Sequence, residues 1–314
     1  MNTTLGIIIP CHNEAEVIDE TASRLTTYLD KLIAAKIISE KSFIKFIDDG
    51  SSDDTWQQIA ALSAENGLIK GIKLSRNFGH QNALAAGLLN TDQDFDCLVS
   101  MDADLQDDIL VIEQFLEAFE KGNDIVYGVR SSRVKDSFFK RKTAHGFYRL
   151  FSFLGGEIVF DHADFRLVSR RVVEQLRSFS EVNLFLRGIF PLMGFKSAVV
   201  PYKRSERYAG KTKYSLRKMM SFSLDGITSF SIKPLRMITL LGFFIFLISM
   251  AYALWVIVSL AQEKTVPGWT STVLPIVLLG GIQILALGLI GEYVGKAYIE
   301  IKKRPRYIIE KIVG

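Results

Sequence analysis

Two aspartates one residue apart, Asp102 and Asp104, followed directly by Leu105, Gln106 and Asp107, are the residues in this sequence best suited to chemistry. Carboxylates at that spacing, at the end of a strand, present oxygen ligands to a hard divalent cation, which in turn neutralises a diphosphate. A D-x-D run also has an ordinary use, because Asp is common in solvated loops and at helix N-termini. Two further polar clusters lie upstream. Pro10-Cys11-His12-Asn13-Glu14 follows one apolar run, and Asp48-Asp49-Gly50-Ser51-Ser52-Asp53-Asp54-Thr55 follows another. Groups of these types at neighbouring strand ends can hydrogen-bond a base and a ribose, with Gly50 permitting a turn too close for a bulkier residue. N-cap chemistry by Ser52 or Asp53 accounts for the second half of that cluster and leaves the Asp48-Asp49 pair unexplained.

The elements that must position these groups follow from periodicity. Apolar runs at 5–9, 43–47, 69–74, 95–101 and 125–129 read as strands, and 14–32, 54–63, 80–89 and 109–119 have helical spacing of apolar residues. Their alternation predicts a parallel α/β sheet, whose ligands bind at the carboxyl ends of the strands. The polar clusters fall at those ends. From about 131 to 235 the alternation weakens, and two segments mix apolar residues with cations. One places Phe147, Leu150, Phe151 and Leu154 on a helical face near Lys140, Arg141, Lys142 and Arg149. The other, with Leu216, Met219, Met220 and Phe222, follows Lys211, Lys213, Arg217 and Lys218. Basic amphipathic helices of this kind lie in a membrane interface or pack on the α/β domain.

A chain of 314 residues holds one large domain and an appendage, and 48% hydrophobic residues is high for a soluble enzyme. The uncharged stretches 237–262 and 265–291 each exceed the ~20 residues that cross a hydrocarbon core, so a two-helix transmembrane hairpin is predicted. Lys233 and Arg236 precede it, and Lys296, Lys302, Lys303, Arg304, Arg306 and Lys311 follow it. Both chain ends are therefore expected in the cytoplasm. The N-terminus lacks the basic flank and apolar core of a signal peptide. With a net charge of +4 concentrated near the membrane segments, anionic headgroups rather than nucleic acid are the expected partner. Cys11 and Cys97 read as reduced packing residues, and His145 and His162 lack a second His or Cys at metal-ligand spacing. His80, after Gly79 at a helix start, is open to donor contact. The expected organisation is a catalytic domain over 1–210, juxtamembrane amphipathic helices over 211–235, transmembrane helices over 236–296 and a basic cytoplasmic tail over 297–314. Truncation from Met237 onward is expected to leave a folded domain that still binds nucleotide.

Taken in order, the 9–14 and 48–55 motifs, Arg76-Asn77-Phe78-Gly79-His80-Gln81 and the 101–107 motif resemble glycosyltransferase family 2, which implies a GT-A fold. Asp161-His162-Ala163-Asp164-Phe165-Arg166-Leu167, the stretch 181–188 and Arg207-Tyr208-Ala209-Gly210-Lys211-Thr212-Lys213-Tyr214 are similar to the polyprenyl-phosphate glycosyltransferases of that family. The resemblance covers essentially the whole chain. It implies that Pro10, Asn13, Glu14 and Asp49 hold the nucleoside, and that Asp102, Asp104 and Gln106 bind Mg²⁺ or Mn²⁺ and the donor diphosphate. It further implies that Arg130, Arg141 and Arg207, with Lys211 and Lys213, handle the acceptor phosphate, and that Asp164 is a base or acceptor-orienting residue. Ala163 stands where relatives often have Gly, and His12 where many have Tyr. Inverting transfer from a nucleotide sugar, UDP-glucose or UDP-N-acetylglucosamine, to a polyprenyl phosphate is the implied reaction. The implied setting is the bacterial plasma membrane, with a homo-oligomer such as a tetramer. Two rivals remain. A processive polysaccharide synthase would carry Gln-x-x-Arg-Trp, yet none of Trp56, Trp255 and Trp269 follows an Arg. A non-catalytic nucleotide-sugar-binding membrane protein would have no need of the intact aspartate pair.

Overall fold

The computed structural model describes residues 3–91, 94–130, 162–182, 185–203, 233–261 and 268–314. Four strands, β1 (Leu5–Cys11), β2 (Phe43–Asp48), β3 (Ile69–Leu74) and β4 (Cys97–Ser100), alternate with helices α1 (Ile18–Ala34), α2 (Thr55–Glu65) and α3 (His80–Leu89). Helix α4 (Val111–Glu120) then leads to β5 (Ile125–Arg130). Strand β1 is buried throughout, as a near-continuous apolar run in a sheet covered on both faces should be. Helix α3 packs so closely on β1 and β2 that a Cβ at Gly87 would lie 2.3 Å from Ile8 Cγ2. Cys11 and Cys97 are both buried and free.

The five strands and four helices expected from periodicity are all present, with ends shifted by a few residues. The expectation of a purely parallel sheet needs correction. Strands β6 (His162–Ser169), β7 (Ser197–Tyr202) and β8 (Ile309–Val313) complete an eight-stranded sheet of order β7-β5-β6-β4-β1-β2-β3-β8. Strand β6 runs antiparallel between β4 and β5, and β8 runs antiparallel along β3. An apolar run shows that a segment is a strand and leaves its direction open, which the paired registers reveal. Two short helices, α5 (Arg170–Leu176) and α6 (Leu186–Leu192), lie between β6 and β7.

The described residues form two compact units, the sheet with its helices and residues 303–314, and the C-terminal helices. The latter are α7 (Lys233–Ala261) and α8 (Trp269–Lys302), of 29 and 34 residues. At 1.5 Å per residue each is longer than the ~30 Å hydrocarbon core. Large apolar side chains point outward along them, among them Phe243, Phe244, Ile248, Trp255, Ile276 and Ile284, which is how a lipid-facing surface is built. Among the described residues the stretch Ile282–Lys302 meets the length and composition of a membrane span. The segment read as a basic tail contains β8, while both expected interfacial helices fall outside the described residues.

Candidate active site

The loops after β1 and β2 are laced together by hydrogen bonds. Asn13, exposed and held at φ 54°, accepts at Oδ1 from the Ser52 N–H at 2.8 Å, and its own N–H donates to Ser51 Oγ at 2.9 Å. The Glu14 N–H donates to Thr55 Oγ1 at 3.0 Å, and Asp53 accepts from the N–H groups of Ala15 and Thr55, the turn role expected of it. His12 Nδ1 lies 3.0 Å from the Asp49 carbonyl oxygen, which accepts its proton. Gly50 adopts φ 62°, and a Cβ there would sit 2.3 Å from the Arg76 carbonyl carbon, so the turn tolerates no side chain.

Asp49 is expected at the nucleoside. It is 2% exposed, and its two oxygens accept from the N–H groups of Phe78 and Gly79 at 2.7 and 2.9 Å. Its carboxylate anchors the 76–79 loop instead of facing an open crevice. Asp48, fully buried, accepts from the Ser51 N–H with one oxygen and leaves the other without a partner. Pro10 is buried within β1, opposite Ile47.

The D-x-D loop begins at the end of β4. Thr21 of α1 donates to the Ala103 carbonyl at 2.9 Å, Leu105 is forced to φ 55°, and Asp107 accepts from the Tyr202 hydroxyl at 2.5 Å. A left-handed non-glycine residue held by such contacts is typical of a site whose geometry is imposed from outside the loop. Asp102 and Asp104 are half-buried, and Asp104 Oδ1 accepts from the Gln106 N–H at 3.2 Å. Burial pushes the Asp102 carboxyl above its ordinary range, and the charges of Asp164 and Asp104 add to the rise against the opposing His80. The two half-buried carboxylates offer the hard oxygen donors that a divalent cation takes, so the residues present fit such an ion. Among the described residues no three His, Cys, Asp or Glu side chains converge as metal ligands. Two carboxylates suit an ion that keeps several waters and takes its remaining oxygens from substrate phosphates.

Beside Asp102 lies a hub that sequence reasoning did not assemble. Asp164, on β6 and 6% exposed, accepts from Arg187 Nε at 3.1 Å and Arg187 Nη2 at 2.9 Å, a bidentate pair. It also accepts from Arg166 and from Gln81 Nε2 at 3.4 Å, with His80 Nε2 at 3.3 Å. His80 Nε2 is 3.7 Å from Asp102 Oδ1, so it bridges the two carboxylates. Burial alone would raise the Asp164 carboxyl, yet the Arg187 charge, the His80 hydrogen bond and Arg166 hold it well below the usual range. Burial likewise presses His80 down, but the hydrogen bond and charge of Asp164, with Asp102, win and raise it. A carboxylate held so firmly anionic is a weak base. Its contacts with Arg187, Arg166, Gln81 and His80 are those of a residue that orients its neighbours. Arg187 lay inside the 181–188 motif without a role; no local signal joins it to a residue 23 positions upstream.

Of the remaining expected residues, Arg130 ends β5 opposite Tyr202, with its side chain outside the described residues. Arg141, Arg207, Lys211 and Lys213 also fall outside them.

The sequence profile of Glycosyl transferase family 2 matches residues 6–177, and that of the GtrB C-terminal hairpin matches residues 233–297. An uncharacterized glycosyltransferase of Bacillus subtilis, YkoT, is 51% identical over 306 residues, covering 98% of this chain and 91% of its own. The SfII prophage-derived bactoprenol glucosyl transferase of Shigella flexneri is 39% identical over 310 residues, 98% of this chain and 97% of its own. In fold, the mannosyltransferase PcManGT of Pyrobaculum calidifontis, solved with GDP-Man and Mn²⁺, superposes with TM-score 0.51 at 16% identity. That superposition covers 73% of this chain and 64% of that one. The family profile spans more than half of the chain, over the strands that carry the D-x-D loop, and the hairpin profile falls on the two long helices. The chain therefore belongs to glycosyltransferase family 2, as a GT-A-type glycosyltransferase carrying a GtrB-type C-terminal hairpin.

Proposed function

We propose that this glycosyltransferase moves a sugar, with inversion, from UDP-glucose or UDP-N-acetylglucosamine to a polyprenyl phosphate at the cytoplasmic face of a bacterial plasma membrane. The observation that carries the reading is the union, in one chain, of a D-x-D pair at the carboxyl edge of parallel strands with two helices of lipid-spanning length. The name of the Shigella flexneri relative supports the acceptor class.

Asp102 and Asp104, with Gln106, would hold Mg²⁺ or Mn²⁺, which when bound offsets the charge on the departing nucleoside diphosphate. Pro10, Asn13 and Glu14 line the nucleoside side, and Asp49 acts there by fixing the 76–79 loop. Asp164 holds Arg187 and His80 in place beside Asp102. The acceptor asks little of Asp164 as a base, because a phosphate monoester has its second pKa at about 6 and is already anionic near neutral pH. Arg130, Arg141, Arg207, Lys211 and Lys213 would receive that phosphate, and membrane lipids and further copies of the chain are the other partners.

Two outcomes are expected. The double change Lys211→Ala with Lys213→Ala removes two cations worth about 1 kcal/mol each near a lipid surface, so the acceptor KM should rise roughly tenfold or more while nucleotide binding stays constant. Titration of undecaprenyl phosphate at saturating donor, with mass spectrometry of the product, measures it. An unchanged acceptor KM would move the acceptor site elsewhere. For topology, a cysteine replacing Lys311 should resist an impermeant thiol reagent in intact cells, and Cys11 and Cys97 give no background because they are buried. Labelling of that cysteine would place the C-terminus outside.

A further inference from the structure

Residues 306–313 grip the catalytic unit at both ends of the segment that bears the 76–79 loop. At the upstream end, β8 pairs with β3 from Gly71↔Val313 to Leu74↔Ile309, with a register shift at Lys73/Leu74, and Lys73 Nζ lies 3.3 Å from Glu310. The pairing continues one residue further, where the Ser75 N–H donates to the Ile308 carbonyl at 3.0 Å, immediately before Arg76. At the downstream end, Asn90 closes α3 and its Nδ2 donates to the Tyr307 hydroxyl at 2.8 Å. Arg306 donates to the Phe179 carbonyl beyond α5. Between those two grips, the Phe78 and Gly79 amides reach Asp49, and His80 begins α3 against Asp164.

An exposed loop keeps its shape only as far as its ends are held, since each freed residue regains backbone entropy of about 1–2 kcal/mol. Asp49 ties the middle of this loop through the Phe78 and Gly79 amides, Asn82 Nδ2 donates to the Phe78 carbonyl at 2.9 Å, and β8 ties what precedes and follows it. We propose that residues 306–313 are a positioning strap for the 76–79 loop, so that the donor side of the site is ordered only while the chain downstream of the hairpin is docked on β3. The proposal rests on reading that loop as part of the donor site. It reverses the expectation that truncation from Met237 leaves nucleotide binding intact, because that cut also removes β8 and opens the β3 edge.

The test uses the full chain ended after Pro305, compared with wild type by amide hydrogen exchange and by calorimetry with UDP. Exchange at Phe78 and Gly79 should quicken about tenfold or more, with β4 amides unchanged, and UDP affinity should fall by a similar factor. If β4 also loses protection, Tyr307→Phe decides, since it keeps the strand and deletes only the hydroxyl that accepts from Asn90. It should speed Phe78 and Gly79 exchange by about threefold with β4 unaffected. Unchanged exchange at those two amides in the variant that decides would overturn the strap, as would faster exchange with unchanged UDP affinity. A wild type that binds no nucleotide overturns the donor-site reading instead, and the exchange rates still judge the strap.

Discussion

Asp164→Asn is expected to destabilise the catalytic unit by about 3–5 kcal/mol, the range for breaking a buried ion pair by removing one partner. The change keeps the shape of the side chain and removes the charge, taking the bidentate partner from Arg187 and the paired carboxylate from the buried Arg166. Arg166 has no slack to absorb the loss, because it is 1% exposed and its Nε and Nη1 already lack partners. The pH dependence has a definite sign. The folded-state value lies below the unfolded value of about 4, so the stabilisation is fully present above that pH. It is lost as the pH falls through the folded value. The stabilisation that Asp164 gives protonated His80 is fully present below the unfolded histidine value of about 6.5 and is lost as pH rises through the raised folded value, so the gap between wild type and variant should be widest and constant from there down to about 4 and close below it. Denaturant titrations in detergent at several pH values measure this gap, and a variant as stable as wild type at pH 7 would remove Asp164 from the centre of the hub.

Asp104→Asn should leave folding intact and reduce turnover by about 10²–10³-fold, the range seen when one group that stabilises developing charge is removed. The loss belongs mainly to kcat, because charge on the leaving diphosphate is greatest in the transition state. Excess Mg²⁺ or Mn²⁺ should restore only part of the rate. The asparagine can still accept the Gln106 N–H at Oδ1, so the loop geometry survives. Steady-state kinetics over a metal titration measures the effect. A full return of kcat at high metal, or a loss confined to donor KM, would assign Asp104 a ground-state binding role instead.

The central fold was legible because β1 to β5 and their helices each declare one period over a local window, and polar clusters mark where each strand stops. What lay hidden is non-local or mixed in pattern. Strand β6 carries the buried Asp164 and Arg166 on either side of Phe165, so no clean apolar run announces it. Strand β8 sets the charged pair Glu310 and Lys311 between Ile309 and Ile312-Val313, the charged composition of an exposed sheet edge, which from sequence reads as a basic tail. In the candidate site, Asp102 and Asp104 drew notice by their spacing and Asn13 by its polar cluster after the first strand. Asp49 drew notice for the right motif, but its hydrogen bonds to Phe78 and Gly79 span 29 and 30 residues and turn an apparent ligand contact into a loop anchor. The His80, Asp164 and Arg187 cluster joins three elements across more than a hundred residues, so only tertiary structure brings it together.

The most direct measurement is a panel of radiolabelled nucleotide sugars incubated with undecaprenyl phosphate and the membrane-embedded protein, scored for label that partitions into organic solvent. The account predicts label in the lipid phase with one UDP-sugar, as a single sugar joined through one phosphate, dependent on undecaprenyl phosphate and lost in Asp104→Asn. Absence of lipid-extractable label with every donor, or label appearing only in a water-soluble polymer, would contradict it.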